Sequence, residues 1–272
     1  MELNEARDQV PLSIQLAPED DYFGEQFAGV MRILKAESFS GVELNITDFS
    51  VNTDALRSTL EKYGLRMTMV ASGAFARRHG YSLSHENRDV RARSIDACAE
   101  VIDFAARMRS GVIFGFMKGG VTPDISGARE RFAESLSRIE PLVRELSVPL
   151  LIEATNRYES SVANSVEDAV GIIRDFDNPY LRVLPDTYHM NIEESSVTGT
   201  LARHLNYFDS IHVSDNNRFF PGFGSVDFKS LFAFLRGAGY RGGAAIEGNL
   251  KGDAAGDIRK SAEYLRSVMR SY

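Results

Sequence analysis

Apolar positions along the chain alternate between two periods. Short, nearly continuous apolar runs read as strands: LSIQLA (12–17), GVELNI (41–46), LRMTMVAS (65–72), GVIFGF (111–116), VPLLIEA (148–154), YLRVLPD (180–186), DSIHVSD (209–215) and GGAAIEGN (242–249). Between them the apolar residues recur at helical spacing. Pro18 and the acids after it open a first helix to about residue 36, with Phe23, Phe27, Val30, Met31 and Leu34 on one face. Further helices are expected over 52–63, closed by Gly64, and over 90–108, 126–146, 197–208 and 228–238. One more starts near Ser165, where Ser165 and Asp168 have capping-box spacing, and an amphipathic helix runs to Tyr272. The third strand leads into a long connection, GAFARRHGYSLSHENRD (73–89), and the fourth into a Gly-rich turn. The first ten residues read as a poorly ordered lead-in.

Eight strand–helix units thus follow one another with no composition break, no solenoid repeat and no linker. Strict alternation implies parallel strands, and eight units in 272 residues imply a closed (β/α)8 TIM barrel, an α/β fold with residues 1–272 as a single domain. A doubly wound open sheet is the alternative. It is disfavoured because no strand-to-helix turn carries a G-x-G-x-x-G phosphate loop.

A net charge of −7 argues against a nucleic-acid partner, which would need an excess of Lys and Arg. The one cysteine, Cys98, lies in a helical pattern, where it reads as a small buried apolar side chain, and no disulfide framework can form. The N-terminus resembles neither a signal nor a transit peptide, and no apolar run approaches membrane-spanning length, so a cytoplasmic setting without membrane association is expected.

The ends of the last four strands carry Glu153, Asp186, His212 and Glu247. In a barrel these positions share the C-terminal face, so residues far apart in sequence converge there. Singly, each is accounted for by a rim ion pair; Asp186 is equally a helix cap, and His189, three residues on, a satisfied surface histidine. Four in successive units favour a metal site. Three carboxylates suit Mn2+ or Mg2+, and the imidazole keeps Co2+ and Zn2+ open.

Four segments, IEATNRYE (152–159), DTYHMNIEE (186–194), HVSDNNRFFPGFGSVDF (212–228) and IEGN (246–249), resemble the xylose-isomerase-like sugar isomerase/epimerase family. Their pattern is similar to that of the ketose 3-epimerases, such as D-tagatose or D-psicose 3-epimerase. The match is strong over 148–249, while the first four units match in layout only. The resemblance implies that Glu153, Asp186, His212 and Glu247 ligate one divalent ion, with Mn2+ preferred. It assigns Glu159, His189 and Arg218 to the carbonyl and hydroxyl end of the substrate. The implied partner is a small keto-sugar or keto-polyol, and a homodimer or homotetramer is compatible with it.

The chemistry agrees with this pattern. Moving a proton on a carbon beside a ketone requires a Lewis acid for the enediolate and a base at that carbon. Inversion requires a second acid on the opposite face, so Glu153 and Glu247 are expected to be the catalytic pair. Arg218 suits a developing oxyanion and His189 a hydroxyl; Glu159 holds substrate or merely orients Arg218. PGFG (221–224) reads as a tight turn behind Arg218, and Asp227 as a helix cap or a site residue.

Departures from the family concern the sugar pocket. The chain has no Trp, and its first strand offers no aromatic. Arg77, Arg78 and His79 fall near the rim, where they form a solvated basic turn or grip a carboxylate or phosphate; Lys118 carries the same two readings. An inosose-type keto-polyol dehydratase and a hydroxypyruvate-type isomerase are rivals, because both share the enediolate step. A DNA-repair endonuclease would need histidines where the chain has Ala71-Ser72 and Phe116-Met117. A non-catalytic sugar-binding barrel is the remaining rival.

Overall fold

The computed structural model describes residues 10–18 and 21–270. The first nine residues of the expected ten-residue lead-in, and the last two of the expected final helix, lie outside the described residues. The apolar runs form eight strands: β1 (Leu12–Leu16), β2 (Gly41–Asn45), β3 (Arg66–Ala71), β4 (Gly111–Phe114), β5 (Leu150–Glu153), β6 (Leu181–Leu184), β7 (Ser210–Val213) and β8 (Gly243–Ile246). Every residue of β4, β5 and β7 is buried, as continuous apolar runs require in a sheet covered on both faces. The helices are α1 (Glu25–Ala36), α2 (Thr53–Glu61), α3 (Gly73–His79), α4 (Arg88–Met108) and α5 (Ile125–Leu146), followed by α6 (Val166–Ile173), α7 (Thr187–Glu193), α8 (Val197–Arg203), α9 (Phe228–Gly237) and α10 (Ala254–Arg270).

All ladders are parallel, in the order β6-β5-β4-β3-β2-β1-β8-β7. Pairing of β1 with both β2 and β8 makes the structure a barrel and removes the open-sheet alternative. The circle closes at a seam between β6 and β7. Here an isolated bridge joins Asp186 to His212, and the His212 N–H donates to the Pro185 carbonyl at 2.8 Å. Thr187 completes the seam: its buried hydroxyl donates to the Ser214 carbonyl (2.7 Å) and accepts from the Ser214 N–H (2.9 Å).

The main core lies between strands and helices, with Ile14, Val42, Val70, Val112, Ile152 and Val183 facing outward onto it. Inside the barrel a second cluster, Ile113, Leu151 and Leu184 with Met69 against it, forms an apolar floor. Side chains two apart on a strand share a face. Glu153 therefore stands directly above Leu151, on the inner face of β5.

Several local expectations are corrected. Among the described residues the first helix starts at Glu25, after a turn in which Asp21 Oδ1 accepts the Phe23 and Gly24 N–H groups; the two acids after Pro18 lie outside the described residues, and Phe23 is exposed. The long connection after β3 contains α3, whose Ala74 N–H is capped by the Asn45 side chain from β2 and which ends at Gly80 in the left-handed region. Being only 7 residues long, it has too few turns to show a period. The segment 197–208 divides into α8 and a 3-10 turn, Leu205–Tyr207. The fourth strand stops at Phe114, and Phe116–Lys118 form a 3-10 turn. The capping box of Ser165 and Asp168 is present, and Asp227 caps α9. Among the described residues no helix is long and apolar enough to cross a membrane.

The seam yields a stability test. Thr187→Val preserves shape but strands the buried Ser214 N–H and carbonyl, so unfolding free energy in urea should drop by about 1–3 kcal/mol. An unchanged denaturation midpoint would show that the barrel closes without this side chain.

Candidate active site and metal centre

Glu153 ends β5, Asp186 lies two residues beyond β6, His212 lies within β7, and Glu247 follows β8 directly. Barrel closure brings one ligand atom from each to within 4.8 Å of all the others. Asp186 and His212 are fully buried, Glu153 nearly so, and Glu247 is partly exposed toward the mouth. Ligand bonds of roughly 2.0–2.6 Å place opposite donors about 4–5 Å apart, so this donor set fits one divalent cation. Gly115, after β4, makes the space: a Cβ there would lie 2.3 Å from Glu153 Oε2.

The imidazole of His212 shows how the site is supported. Its Nδ1 faces the carboxylates, 2.7 Å from Glu247 Oε2, 3.7 Å from Glu153 Oε1 and 3.8 Å from Asp186 Oδ2. Its Nε2 lies 2.8 Å from Oε2 of Glu43, a fully buried residue of β2. A carboxylate behind a histidine fixes the ring and raises its basicity, the arrangement expected of a metal-ligating imidazole. Sequence reasoning missed Glu43. Its signal was a lone acid inside the apolar run GVELNI, which ends in no loop of its own motif.

Asp186 caps a helix and faces the cluster at once. Oδ1 accepts the Tyr188 N–H at 2.7 Å and caps α7, while Oδ2 turns into the site. Arg218 reaches the same oxygen at 2.7 Å and Glu247 Oε2 at 2.9 Å, with its guanidinium over the Tyr188 ring. The Arg218 backbone sits in the left-handed region (φ 62), a conformation that costs energy for a non-glycine residue. Asp215 holds the loop in place: its buried carboxylate accepts N–H groups of Gly222 (2.9 Å), Gly224 (2.7 Å) and Val226 (2.9 Å), so the PGFG segment folds around it. The Asn249 N–H then ties the Arg218 carbonyl to the β8 loop at 2.7 Å. Asp215 is a second residue not identified from the sequence.

His189 is buried and has a determined tautomer. Asn156 Oδ1 is taken by the Tyr158 N–H (2.9 Å), so the Asn156 amide nitrogen donates to Glu159 Oε1 (3.0 Å) and to His189 Nδ1 (2.7 Å). The proton of His189 must then sit on Nε2, which lies 3.7 Å from Glu153 Oε1 and 4.0 Å from Asp186 Oδ2. Glu159 thus orients Asn156 and His189; the alternative that it orients Arg218 is not what the structure contains, because Arg218 is held by Asp186 and Glu247. The rim reading of Lys118 is also corrected. Lys118 is fully buried, and its ammonium donates to the Glu153 carbonyl and, at 2.9 Å, to Thr155 Oγ1, so it braces the end of β5. Burial pushes this ammonium down to about 8, against the opposing pull of Glu153 and Glu159.

Charge in the site is tightly matched. Burial and Glu247 push the Glu153 carboxyl up, yet the neighbouring His212 imidazole holds it below the usual range. For Asp186 burial wins over the neighbouring Arg218, and its carboxyl is raised. For Glu247 burial is outweighed by Arg218 and His212, and its carboxyl is held well down. Burial opposes protonation of His212, but the charges of Glu43 and Glu247 raise the imidazole well above its ordinary value.

Comparison with known proteins places these features in context. The family model described as xylose isomerase-like TIM barrel matches residues 31–268. The 3-dehydro-D-guloside 4-epimerase of Escherichia coli (strain K12) is 26% identical over 257 residues, 90% of this chain and 96% of that protein. The ketose 3-epimerase of Arthrobacter globiformis is 28% identical over 240 residues, 85% of this chain and 80% of that protein. Among solved structures, D-allulose 3-epimerase from Methylomonas sp. in complex with D-allulose shares the fold with a TM-score of 0.81 at 18% identity, covering 95% of this chain and 97% of that one.

Two outcomes are expected. Glu43→Gln should weaken Mn2+ binding by ~10- to 100-fold in equilibrium dialysis with the barrel still folded; unchanged affinity would remove Glu43 from the centre. Coordination through Nδ1 requires His212 to lose a proton held above its ordinary pKa, so ion binding should release about one proton and weaken as pH falls. Titration calorimetry in buffers of different ionisation enthalpy measures this directly, and a proton count near zero would contradict it.

Proposed function

The chain belongs to the xylose isomerase-like TIM barrel family, and from that membership and the site geometry we propose a divalent-metal-dependent sugar epimerase. It is an enzyme of the isomerase/epimerase class. Its substrate is a ketose or related keto-polyol, and the carbon inverted lies beside the ketone, with C3 epimerisation of a ketose favoured. We take residues 1–272 as one catalytic domain working in the cytoplasm. The observation that carries this reading is the convergence of two glutamates, an aspartate and a histidine at one point of the barrel mouth.

Glu153, Asp186, His212 and Glu247 would hold the ion, with Mn2+ preferred and Mg2+, Co2+ or Zn2+ as alternatives. A bound cation supplies a Lewis acid that draws charge onto the ketone oxygen and acidifies the neighbouring C–H. The remaining work falls to the side chains. One of Glu153 and Glu247 takes the proton from carbon and the other returns one to the opposite face. They stand at the C-terminal ends of β5 and β8, and both line the cavity. Arg218, locked by Asp186 and Glu247, presents its donors to the oxygen on which charge builds. His189 donates its Nε2–H to a substrate hydroxyl, a role set by Asn156 on the far side of the ring. Glu159 lines the same cavity and accepts a hydroxyl at that end of the sugar.

Deuterium incorporation at the carbon beside the ketone, followed by NMR in D2O with Mn2+ over a panel of keto-sugars, tests the reaction. Glu153→Gln and Glu247→Gln keep an oxygen donor but cannot carry the proton, so each should lose ~10²-fold or more in interconversion rate. A variant lacking the base for one face is expected to exchange one epimer slowly without interconverting the pair. Interconversion of both epimers at the parent rate in either variant would refute the two-glutamate mechanism. His189→Ala should lower turnover while retaining the ion on dialysis.

A further inference from the structure

We propose that Arg77 and Phe116 form an oxyanion subsite beside the metal centre, so that the sugar processed there carries a carboxylate or phosphate substituent. This inference rests on the epimerase reading and names its substrate class. Arg77, on α3, lines the same cavity as Glu153, Glu247 and Arg218. The two arginines differ in how far their charge is already spent. Arg218 is paired with Asp186 and Glu247 at 2.7 and 2.9 Å. Among the described residues, no carboxylate comes within ion-pair distance of Arg77, and its guanidinium lies over the Phe116 ring, 4.3 Å from the centroid.

That stacking has a local cause. Gly73 and Arg77 are four residues apart, on one face of α3. A Cβ at Gly73 would come within 3.3 Å of the Phe116 ring, so the missing side chain lets the ring lie against the helix beneath Arg77. Phe116 itself is held in the 3-10 turn after β4, and 38% of its surface stays exposed. Stacking occupies the flat face of a guanidinium. Its five N–H donors lie in the plane and remain available at the edge, which is the geometry that takes two oxygens of a carboxylate or phosphate in parallel.

Neighbouring basic residues are committed elsewhere. Arg78 donates to Thr47 Oγ1 at 2.8 Å, and His79 packs on Tyr81 and Phe75. Of the three basic residues in succession, Arg77 is the one that lines the cavity. A neutral sugar would leave its donors to water. An anionic one would pair with them while its ketone lies at the metal.

The test compares three matched keto-sugars, neutral, carboxylated and phosphorylated, by proton exchange in D2O on the Mn2+-loaded parent, Arg77→Gln, Arg77→Lys and Arg78→Gln. Separately, a hexuronate lacking the ketone and its neutral hexose counterpart are titrated calorimetrically onto the same proteins, with and without Mn2+. One anionic substrate should be preferred over the neutral sugar by about ten- to hundredfold, expressed mainly in KM. The charged group that is preferred identifies the substituent. Arg77→Gln should reduce the ratio to within about twofold, Arg77→Lys should keep part of it, and Arg78→Gln should keep all of it. Equal exchange of neutral and anionic sugars by the parent, or a preference that survives Arg77→Gln, would overturn the subsite and leave the epimerase reading standing. Absence of exchange with every keto-sugar would overturn the epimerase reading, and the hexuronate titration would then decide the subsite by itself: tighter binding than hexose, lost in Arg77→Gln, supports it, and equal binding rejects it.

Discussion

Three carboxylates crowded at the mouth of an apolar barrel govern this molecule. Glu153, Asp186 and Glu247 offer oxygens within 4.8 Å of one another, above a floor of Ile113, Leu151 and Leu184. Like charges so close in a poorly solvated place repel strongly, and they stay together only when positive charge is built in among them. The protein supplies it from two directions, through Arg218 on one side and the His212 imidazole on the other. The same demand for positive charge suits the cluster to a cation.

Much of the surrounding structure keeps those charges where they are. Glu43 grips the far nitrogen of His212, and Asn156 the far nitrogen of His189, so each ring presents one determined nitrogen to the site. Asp215 gathers the N–H groups of Gly222, Gly224 and Val226, and the loop closed in this way holds Arg218 in a backbone conformation it would not adopt alone. The buried ammonium of Lys118 braces the carbonyl of Glu153. Barrel closure itself is thinnest at the β6–β7 seam, where Asp186 and His212 form the joining bridge and Thr187 supplies side-chain hydrogen bonds in place of a ladder. Two of the four clustered residues are therefore also the two across which the barrel shuts, which couples site geometry to the fold.

The strands and longer helices were legible in the sequence because burial on one or both faces leaves a period in the residues. Short elements such as α3 and α7 were not, since seven residues make too few turns to show a period, and the first turn of α3 is capped from elsewhere, by Asn45 of β2. Lys118 illustrates the opposite error. A lysine in a Gly-rich turn reads as solvent-facing, and only the packing of the β4 turn against the end of β5 shows it buried on Glu153 and Thr155. Glu159 lines the same cavity as Glu153, and its hydrogen bond goes to Asn156, not to Arg218.

The sequence by itself determined the (β/α)8 order and the set of four residues that meet at the barrel mouth. Alternating apolar periods dictate the units, and a strand end in a parallel barrel has one place to point. What it left open were pairings that the folded chain alone makes, among them Glu43 behind His212 and Arg77 on Phe116. Those pairings join residues as much as 169 positions apart, from Glu43 to His212. No local pattern encodes the contact of Glu43 with His212; it exists only because closing the sheet on itself brings β2 within reach of β7.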